Sequence, residues 1–313
     1  MKFLVALKKQ PSIKLMLHSR LAAYEEARDP SIIHASDLMK EKEYCPREWA
    51  LYDLTKTKPQ GQFIGTALRA TFAHGRDMEA RLRNDWLGDV IVGRWDCSVC
   101  HHLHPAFGKK PKVDCQFCKH YRWEYYETRF HCKTSGISGG IDAIVDVGQM
   151  KHRILEIKSI DKDQFKELVA PLAEHRFRTS LYLRLAEESE LDSSNSVNVQ
   201  EAHILYVSKS FGFKDTSMAE AGIKDAPFSP FKEFIVSRDD SLVATSVNKA
   251  TALTVARTAG GVPCGVCVNA LTKRAQSCDA KKHCWSGQFP HTITWLENGK
   301  PKHEGKYLPI GCI

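Results

Sequence analysis

The chain has 313 residues, of which 42% are hydrophobic and 26% are charged, as in an ordinary water-soluble globular protein. It contains no run of about 18 apolar residues, so we expect neither a membrane span nor a membrane partner. The apolar stretch that opens the chain is too short for a signal peptide, so we expect a cytoplasmic protein, in the host cytoplasm if the source is viral. The net charge of +8 favours a polyanionic partner but does not identify it.

Hydrophobic periodicity predicts helices in the first third of the chain. Residues 1–30 have the pattern of one or two amphipathic helices. A second helical region should begin with Ser36 as its N-cap, and Pro46 should interrupt it. A longer helix is predicted over residues 61–88.

Strands and helices alternate in the rest of the chain, which indicates a mixed α/β core. The predicted elements are strands at 139–148 and 153–160, a helix at 165–189, strands at 201–208 and 231–237, and a helix at 239–259.

The strand over residues 153–160 carries two charges on one face of an otherwise apolar segment. Side chains alternate along a strand, so Glu156 and Lys158 point the same way, and burying them without partners is costly. The preceding strand offers Asp142. Two carboxylates on neighbouring strands suit Mg²⁺ or Mn²⁺, which prefer oxygen ligands and lower the pKa of a bound water. Taken alone, the Glu-x-Lys pattern also fits an ion pair on a half-exposed strand.

The two flanking helices carry further polar residues. His74 and Glu79 lie five residues apart on the long helix, close enough to one side to reach a common metal site. His175, Arg178 and Tyr182 follow one another at spacings of three and four, which places them in one helical stripe. A basic and aromatic stripe suits a phosphate backbone with a base nearby. Each group taken singly also fits a solvated helix face.

Taken in chain order, these residues resemble the motifs of the PD-(D/E)xK nuclease superfamily, and within it those of the RecB-like exonucleases. The resemblance covers residues 34–285. It implies a restriction-endonuclease-like fold of the α/β class, in which helices flank a mixed sheet. It also implies a metal-dependent DNA nuclease, an exonuclease that hydrolyses phosphodiester bonds in DNA replication, recombination or repair.

The resemblance also implies a role for each motif residue. The implied catalytic residues are Glu79, Asp142, Glu156, Lys158 and Tyr182. His74 and the backbone carbonyl of Ile157 would join the three carboxylates as ligands of Mg²⁺ or Mn²⁺. The lysine would orient the attacking water or neutralise the charge that develops on the phosphate.

The residues implied to contact DNA are His175, Arg178 and Tyr182. Two positions depart from the family pattern. Ile141 stands where a proline usually precedes the aspartate, and Arg178 stands where the family has a glutamine that positions the DNA.

Four cysteines in the middle of the chain form two Cys-x-x-Cys pairs with fourteen residues between them, a spacing typical of a structural zinc site. These residues are Cys97, Cys100, Cys115 and Cys118. We therefore predict a zinc ribbon inserted into the core, with no catalytic role. Lys109, Lys110 and Lys112 lie between the pairs and either contact phosphates or form a solvated loop.

A second cysteine group lies near the C-terminus, and its metal is open between zinc and iron. The four C-terminal cysteines alone would suffice for zinc. The arrangement with Cys45 far upstream resembles the iron–sulfur nucleases, which include AddB and the CRISPR-associated exonucleases. That resemblance implies a [4Fe–4S] cluster held by Cys45, Cys264, Cys267 and Cys284, with Cys278 as the rival for the fourth position. We expect Cys132 and Cys312 to bind no metal.

These expectations divide the chain into five parts. They are an N-terminal helical segment (1–33), a helical part of the nuclease core (34–91), the zinc ribbon (92–132), the catalytic α/β core (133–260) and a Cys-rich C-terminal segment (261–313).

Two other functions fit the sequence. The first is a DNA-binding accessory subunit with an inactive nuclease fold, although the complete Asp, Glu and Lys set argues against it. The second is a zinc-bearing interaction scaffold whose Glu-x-Lys pair is a surface ion pair. The chain has no Gly-rich phosphate-binding loop ending in Gly-Lys-Ser/Thr, so any unwinding of DNA would come from a helicase or recombination partner.

Overall fold

The computed structural model describes residues 13, 16, 19–20, 29, 31–39, 44–57, 65–189, 196–209 and 229–302. Most of the segment predicted as helical at 1–30, the first residues of the helix predicted from residue 61, and Cys312 lie outside these ranges. Within them, no helix combines the length and the apolar character that crossing a membrane requires.

The core is a seven-stranded mixed sheet, which confirms the predicted α/β class. The described strands are β1 (Ile33–His34), β2 (Ile91–Cys97), β3 (Gly108–Lys109), β4 (Trp123–Tyr126), β5 (Arg129–His131), β6 (Ile137–Gly140), β7 (Ala143–Val145), β8 (His152–Ile160), β9 (Val197–Ser208), β10 (Phe231–Ser237), β11 (Leu296–Glu297) and β12 (Lys300–Pro301). The order in the large sheet is β10-β9-β8-β7-β2-β3, and β4 pairs with β2. At its centre β8 runs parallel to β9 and antiparallel to β7.

Helices cover both faces of this sheet. They are α1 (Ala35–Leu38), α2 (Pro46–Thr55), α3 (Thr66–Arg81), α4 (Lys162–Glu167), α5 (Ala173–Glu188), α6 (Asp240–Ala259), α7 (Lys273–Gln276) and α8 (Lys281–Cys284). A π-helical turn, Leu82–Trp86, continues α3. On one face of β8, Ile154 belongs to a cluster with Leu181 of α5 and Val247 of α6. On the other face, Leu155 packs in a cluster that includes Met78 of α3.

Two predicted helix boundaries are wrong. The single helix predicted at 165–189 is broken into α4 and α5, because Pro171 has no N–H to donate and its ring blocks the preceding helical turn. Ser36 is not an N-cap but lies inside α1, which begins after His34. The backbone N–H of His34 donates to the carboxylate of Asp37, so this aspartate supplies the hydrogen bond at the helix start.

The strand predicted at 139–148 is two strands in two different sheets. Its first part, β6, pairs with β1 and β5 in a three-stranded sheet, whereas β7 belongs to the large sheet. The chain passes between them at Ile141 and Asp142, and the N–H of Ile141 donates to the carbonyl of Thr128. Gly139 lies just before this passage, where an added Cβ would be 2.6 Å from the ring of Tyr182. The close approach of α5 therefore requires glycine there.

Candidate active site and cysteine centres

Three of the predicted catalytic side chains meet where β7 lies beside β8. Lys158 Nζ is 2.7 Å from Oε1 of Glu156 and 3.3 Å from Oδ2 of Asp142. The backbone N–H of Ile157 donates to the same aspartate oxygen over 2.7 Å. Glu156 is fully buried, and the other two side chains are about 15% exposed. The charges on β8 are therefore an internal, mutually paired group and not a surface ion pair.

The pairing shifts the pKa of all three groups. Burial alone would raise the pKa of Asp142, but Lys158 and the N–H of Ile157 outweigh burial and hold that pKa below its usual value. Burial raises the pKa of Glu156, and the charge of Asp142 adds to this increase. Burial would lower the pKa of Lys158, but the two carboxylates raise it above its usual value. The lysine is therefore a permanent cation in this site.

Helix α3 brings Glu79 to the same group. Burial raises the pKa of Glu79 to about 7, and the negative charge of Asp142 contributes to the increase. Four residues later, Arg83 Nη1 donates to the backbone carbonyl of Asp142 over 3.1 Å. The sequence analysis missed Arg83, although its spacing from Glu79 places it on the same helical face. His74, predicted to join this site, lies on an exposed part of α3.

Helix α5 closes the site from the other side. Arg178 Nη1 lies 3.3 Å from Oε1 of Glu156, and its Nε donates to the hydroxyl of Tyr182 over 2.9 Å. Tyr182 is buried. Arg178 therefore lies beside the carboxylates of the site, and its hydrogen bond to the Tyr182 hydroxyl fixes the orientation of the guanidinium group.

His175 was predicted to contact DNA. It lies on the buried side of α5, where its ring contacts Tyr206 of β9. Its Nδ1 lies 2.7 Å from the Tyr206 hydroxyl, which also accepts the N–H of Leu172. Burial lowers the pKa of His175 to about 4, and the charges of Lys158 and Arg178 contribute. The imidazole is therefore neutral near pH 7.

The protein is expected to lose stability as the pH falls from about 6.5 towards 4, in part through His175. The imidazole titrates near its ordinary pKa of about 6.5 in the unfolded chain but at about 4 in the folded chain. In this window the unfolded chain binds the extra proton, so the free energy of unfolding decreases with pH. Urea midpoints at pH 7 and pH 5 should differ less for His175→Gln than for the wild type. His131→Gln, at an exposed position, is the control, and an equal loss in all three proteins would contradict the prediction.

The donor set of this site fits a divalent cation. Asp142 and Glu156 offer carboxylate oxygens, and Glu79 offers a third carboxylate nearby. Apart from the contacts of Glu156 with Lys158 and Arg178, neither of its buried oxygens accepts a hydrogen bond from a described residue. Such a carboxylate retains lone pairs that a metal ion can use.

The four cysteines of the predicted ribbon form a group that could hold a metal ion. All four sulfur atoms lie within 4.8 Å of one another. Cys97 Sγ is 3.4 Å from Cys118 Sγ, and Cys100 Sγ is 3.6 Å from Cys115 Sγ. A tetrahedral zinc ion with Zn–S bonds of about 2.3 Å needs sulfur atoms at roughly this spacing. The group therefore fits zinc.

The two Cys-x-x-Cys pairs have the same backbone geometry. The residue after each pair has a positive φ, 56° at His101 and 61° at Lys119. Its N–H donates to the carbonyl of the first cysteine of the pair, Cys97 or Cys115. Backbone N–H groups of the second turn donate to the sulfur of Cys115 and lower its pKa to about 7. The second turn thus favours the thiolate form of Cys115, which is the form that binds metal.

Replacing Cys100 with serine is expected to reduce bound zinc by about one equivalent per chain, because a structural zinc site needs all four protein ligands. Metal analysis of the purified protein measures this change. Cys132→Ser is the matched control, since Cys132 is a free thiol outside the group. Unchanged zinc content in Cys100→Ser would contradict the assignment.

Two of the three ribbon lysines have structural partners. Lys109 forms an ion pair with Asp146 at 3.0 Å. Lys110 Nζ donates to the carbonyl of Asn84 over 2.7 Å. Both interactions hold the ribbon against the core. Lys112 is exposed.

The second cysteine group differs from the implied ligand set. Four cysteines line one pocket between the start of α2 and the C-terminal segment: Cys45, Cys267, Cys278 and Cys284. Cys264 is buried elsewhere, in a cluster with Ala252 and Trp295, and its sulfur donates to the carbonyl of Lys302. The structure therefore places Cys278 in the pocket and Cys264 outside it.

The pocket is small, with a volume of about 20 Å³. Among the described residues, no three ligand atoms in it lie within 4.8 Å of one another, in contrast to the ribbon group. Burial raises the pKa of Cys278 to about 12 and that of Cys284 to about 11. These thiols are therefore protonated without metal, and metal binding would release their protons.

Arg47, which the sequence analysis missed, joins the two ends of the chain beside this pocket. Its side chain is only 2% exposed. Its Nε lies 3.2 Å from Cys284 Sγ, and Nη2 donates to the carbonyl of Phe289 over 2.7 Å. Next to it, Glu48 forms an ion pair with Arg274. The signal in the sequence is that both charged residues stand two and three positions after Cys45, at the start of α2.

No protein-family model matches the sequence, and no curated protein matches it. The crystal structure of an alkaline exonuclease, LHK-Exo, from Laribacter hongkongensis is similar to this chain with 13% identity and a TM-score of 0.34, covering 78% of this chain and 93% of that one. The structure of the same enzyme in complex with dAMP has 15% identity, the same coverage and a TM-score of 0.35. The function proposed below rests on the side chains of the site itself.

Proposed function

We propose that the chain is a metal-dependent DNA nuclease of the PD-(D/E)xK type that acts as an exonuclease. The observation that carries this proposal is the contact of Lys158 with both Asp142 and Glu156 at the centre of the sheet. Burying the charge of a glutamate on a central strand costs free energy, even when it is paired, so its position there points to a function. Hydrolysis of a phosphodiester needs this combination of carboxylates for a cation and a fixed positive charge.

Asp142, Glu156 and Glu79 would hold Mg²⁺ or Mn²⁺ together with the carbonyl of Ile157. That carbonyl now accepts a hydrogen bond from Lys158 over 2.8 Å. When bound, the cation lowers the pKa of a water and offsets negative charge on the phosphate. The N–H of Ile157 and Arg83 orient Asp142 for this role.

Lys158 acts as a hydrogen-bond donor and a positive charge, and not as a base, because its pKa is raised. Its ammonium has three N–H groups, which can orient the attacking water and stabilise the charge that develops on the phosphate. Arg178 supplies a second cation at Glu156. Tyr182 holds that arginine, so its role is positioning.

We further propose that the Cys45, Cys267, Cys278 and Cys284 pocket holds a [4Fe–4S] cluster that fastens the C-terminal segment to α2, and that the ribbon holds zinc. Neither centre has a role in the hydrolysis. Any helicase or recombination partner would supply unwinding, for which the chain has no motif.

The observation that favours the second candidate, an inactive DNA-binding subunit, is the balance of charge in the site. Lys158 and Arg178 already neutralise Asp142 and Glu156 without a metal ion. Carboxylates that are already paired, and need no metal ion to neutralise them, would suit a nuclease fold that no longer catalyses hydrolysis.

One assay separates the candidates. Anaerobically purified protein is incubated with end-labelled single- and double-stranded DNA in Mg²⁺, Mn²⁺ or EDTA. A nuclease cleaves DNA only with a divalent cation. An accessory subunit binds DNA without cleaving it, and an interaction scaffold does neither.

A further inference from the structure

A basic strip lies on the outer side of the three-stranded sheet. In β5, Phe130 is buried while Arg129 and His131 are exposed on the opposite side, and the exposed Lys133 continues this alternation. The three exposed residues line one cavity of about 440 Å³, whose other wall is formed by Glu188 and Ser189 at the end of α5.

The strip begins beside the candidate active site. Arg129 Nη2 lies 3.5 Å from a carboxylate oxygen of Glu127. Burial raises the pKa of that glutamate, and the charges of Arg129 and Asp142 both act on it. Its carboxylate also contacts the position where Gly140 would carry a Cβ, two residues before Asp142. One side chain thus links the start of the strip to the catalytic aspartate.

Helix α5 gives the direction of the strip. Arg178 contacts Glu156 from the middle of this helix, and Glu188 lines the cavity at its end. Ten residues of α-helix span about 15 Å, so the cavity extends outward from the active site along the helix.

We propose that Arg129, His131 and Lys133 bind successive phosphates of the nucleic-acid strand whose reacting phosphate lies at Asp142 and Glu156. This inference rests on the proposed nuclease function. Alternate side chains on a strand are about 6.8 Å apart, a spacing that an extended nucleic-acid backbone can follow phosphate by phosphate. One guanidinium group and one ammonium group, with an imidazole between them, suit a row of phosphates that each carry one negative charge.

The carboxylates around the strip do not close it to phosphate. Both side chains of the Arg129–Glu127 pair are partly exposed, 58% and 42%, and ion pairs that water reaches are weak. Glu188 is bound to Arg184 at 2.9 Å on its own helix. A phosphate can therefore reach Arg129 without removing a buried partner.

The test compares Arg129→Gln/Lys133→Gln with Lys151→Gln/Lys300→Gln, a control that removes the same charge at two exposed lysines outside the cavity. Fluorescence anisotropy measures binding of a labelled single-stranded 12-mer in EDTA over a range of salt concentrations. Losing two phosphate contacts should reduce the slope of log affinity against log salt by about 1.4, since each contact contributes about 0.7 for single strands. The control should leave the slope close to the wild-type value.

Equal slopes for the strip variant and the wild type would overturn the inference, as would the same loss in the control. Cleavage by the wild type in Mg²⁺ is scored separately. If the wild type cleaves DNA and the strip variant keeps the wild-type slope, the nuclease stands and the strip does not bind phosphate. If the slope falls as expected and the wild type cleaves nothing, the strip binds a strand and the hydrolytic function is wrong.

Discussion

Replacing Lys158 with alanine is expected to reduce the rate of DNA cleavage by at least about 100-fold, the loss typical for one fixed donor in a preorganised site. The Lys158 ammonium contacts both Asp142 and Glu156, and these two carboxylates raise its pKa above the usual value. DNA affinity should change far less, because the side chain is buried and the DNA backbone is bound by exposed groups. Single-turnover cleavage and binding in EDTA measure the two effects.

The variant also leaves two buried carboxylates without their shared cation, which destabilises the fold. Its thermal unfolding must therefore be measured in the presence of Mg²⁺, and Lys158→Gln, which keeps one N–H donor group, provides a milder change at the same position. Lys151→Ala removes an exposed lysine just before β8 and should cleave like the wild type. A folded Lys158→Ala protein with full activity would refute the assignment.

Replacing Cys278 with alanine is expected to remove the iron from the C-terminal pocket, whereas replacing Cys264 should leave it in place. A [4Fe–4S] cluster needs four thiolates, and Cys45, Cys267, Cys278 and Cys284 line the pocket, whereas Cys264 does not. Iron content should fall from about four atoms per chain to near zero in Cys278→Ala. Iron and sulfide analysis and the visible absorbance of anaerobically purified protein measure the loss.

The two cysteine variants control each other, since both remove a buried or half-buried thiol from the same segment. Loss of iron in Cys264→Ala but not in Cys278→Ala would show that Cys264, and not Cys278, is a ligand, as the Cys-x-x-Cys spacing suggests. If the pocket contains zinc and not iron, and only Cys278→Ala loses it, the four ligands are correct and the iron–sulfur cluster is wrong.

The alternation of charged and apolar residues on β8 was sufficient to predict the centre of the site. Glu156 and Lys158 share one face because a strand has a period of two, whatever surrounds it. The start of α6 was also predictable, since Asp239 caps it by accepting the N–H groups of Ser241 and Leu242. Both features depend on residues close together in the chain.

The features that the sequence could not predict depend on contacts between distant residues. The Cys-x-x-Cys spacing favoured Cys264 as a ligand, with Cys278 only as the rival of Cys284, but Cys264 packs in a cluster with Ala252 and Trp295. Arg47 bonds to groups more than 200 residues away. His175 lies on the same helical face as Arg178, but Tyr206 of β9 occupies its ring nitrogen.

The passage of the chain between the two sheets has a mechanical consequence. The polypeptide leaves the large sheet after β4 and returns to it before β7, and Glu127 and Asp142 stand at these two crossings. One hydrogen bond, from Ile141 to Thr128, joins the crossings. A rotation of the small sheet would therefore shift both acidic side chains together. If the proposed strip on β5 binds nucleic acid, a displacement of β5 would reach Asp142 through β6 and the bond between Ile141 and Thr128, so that substrate binding and the position of the proposed metal ligand would be coupled.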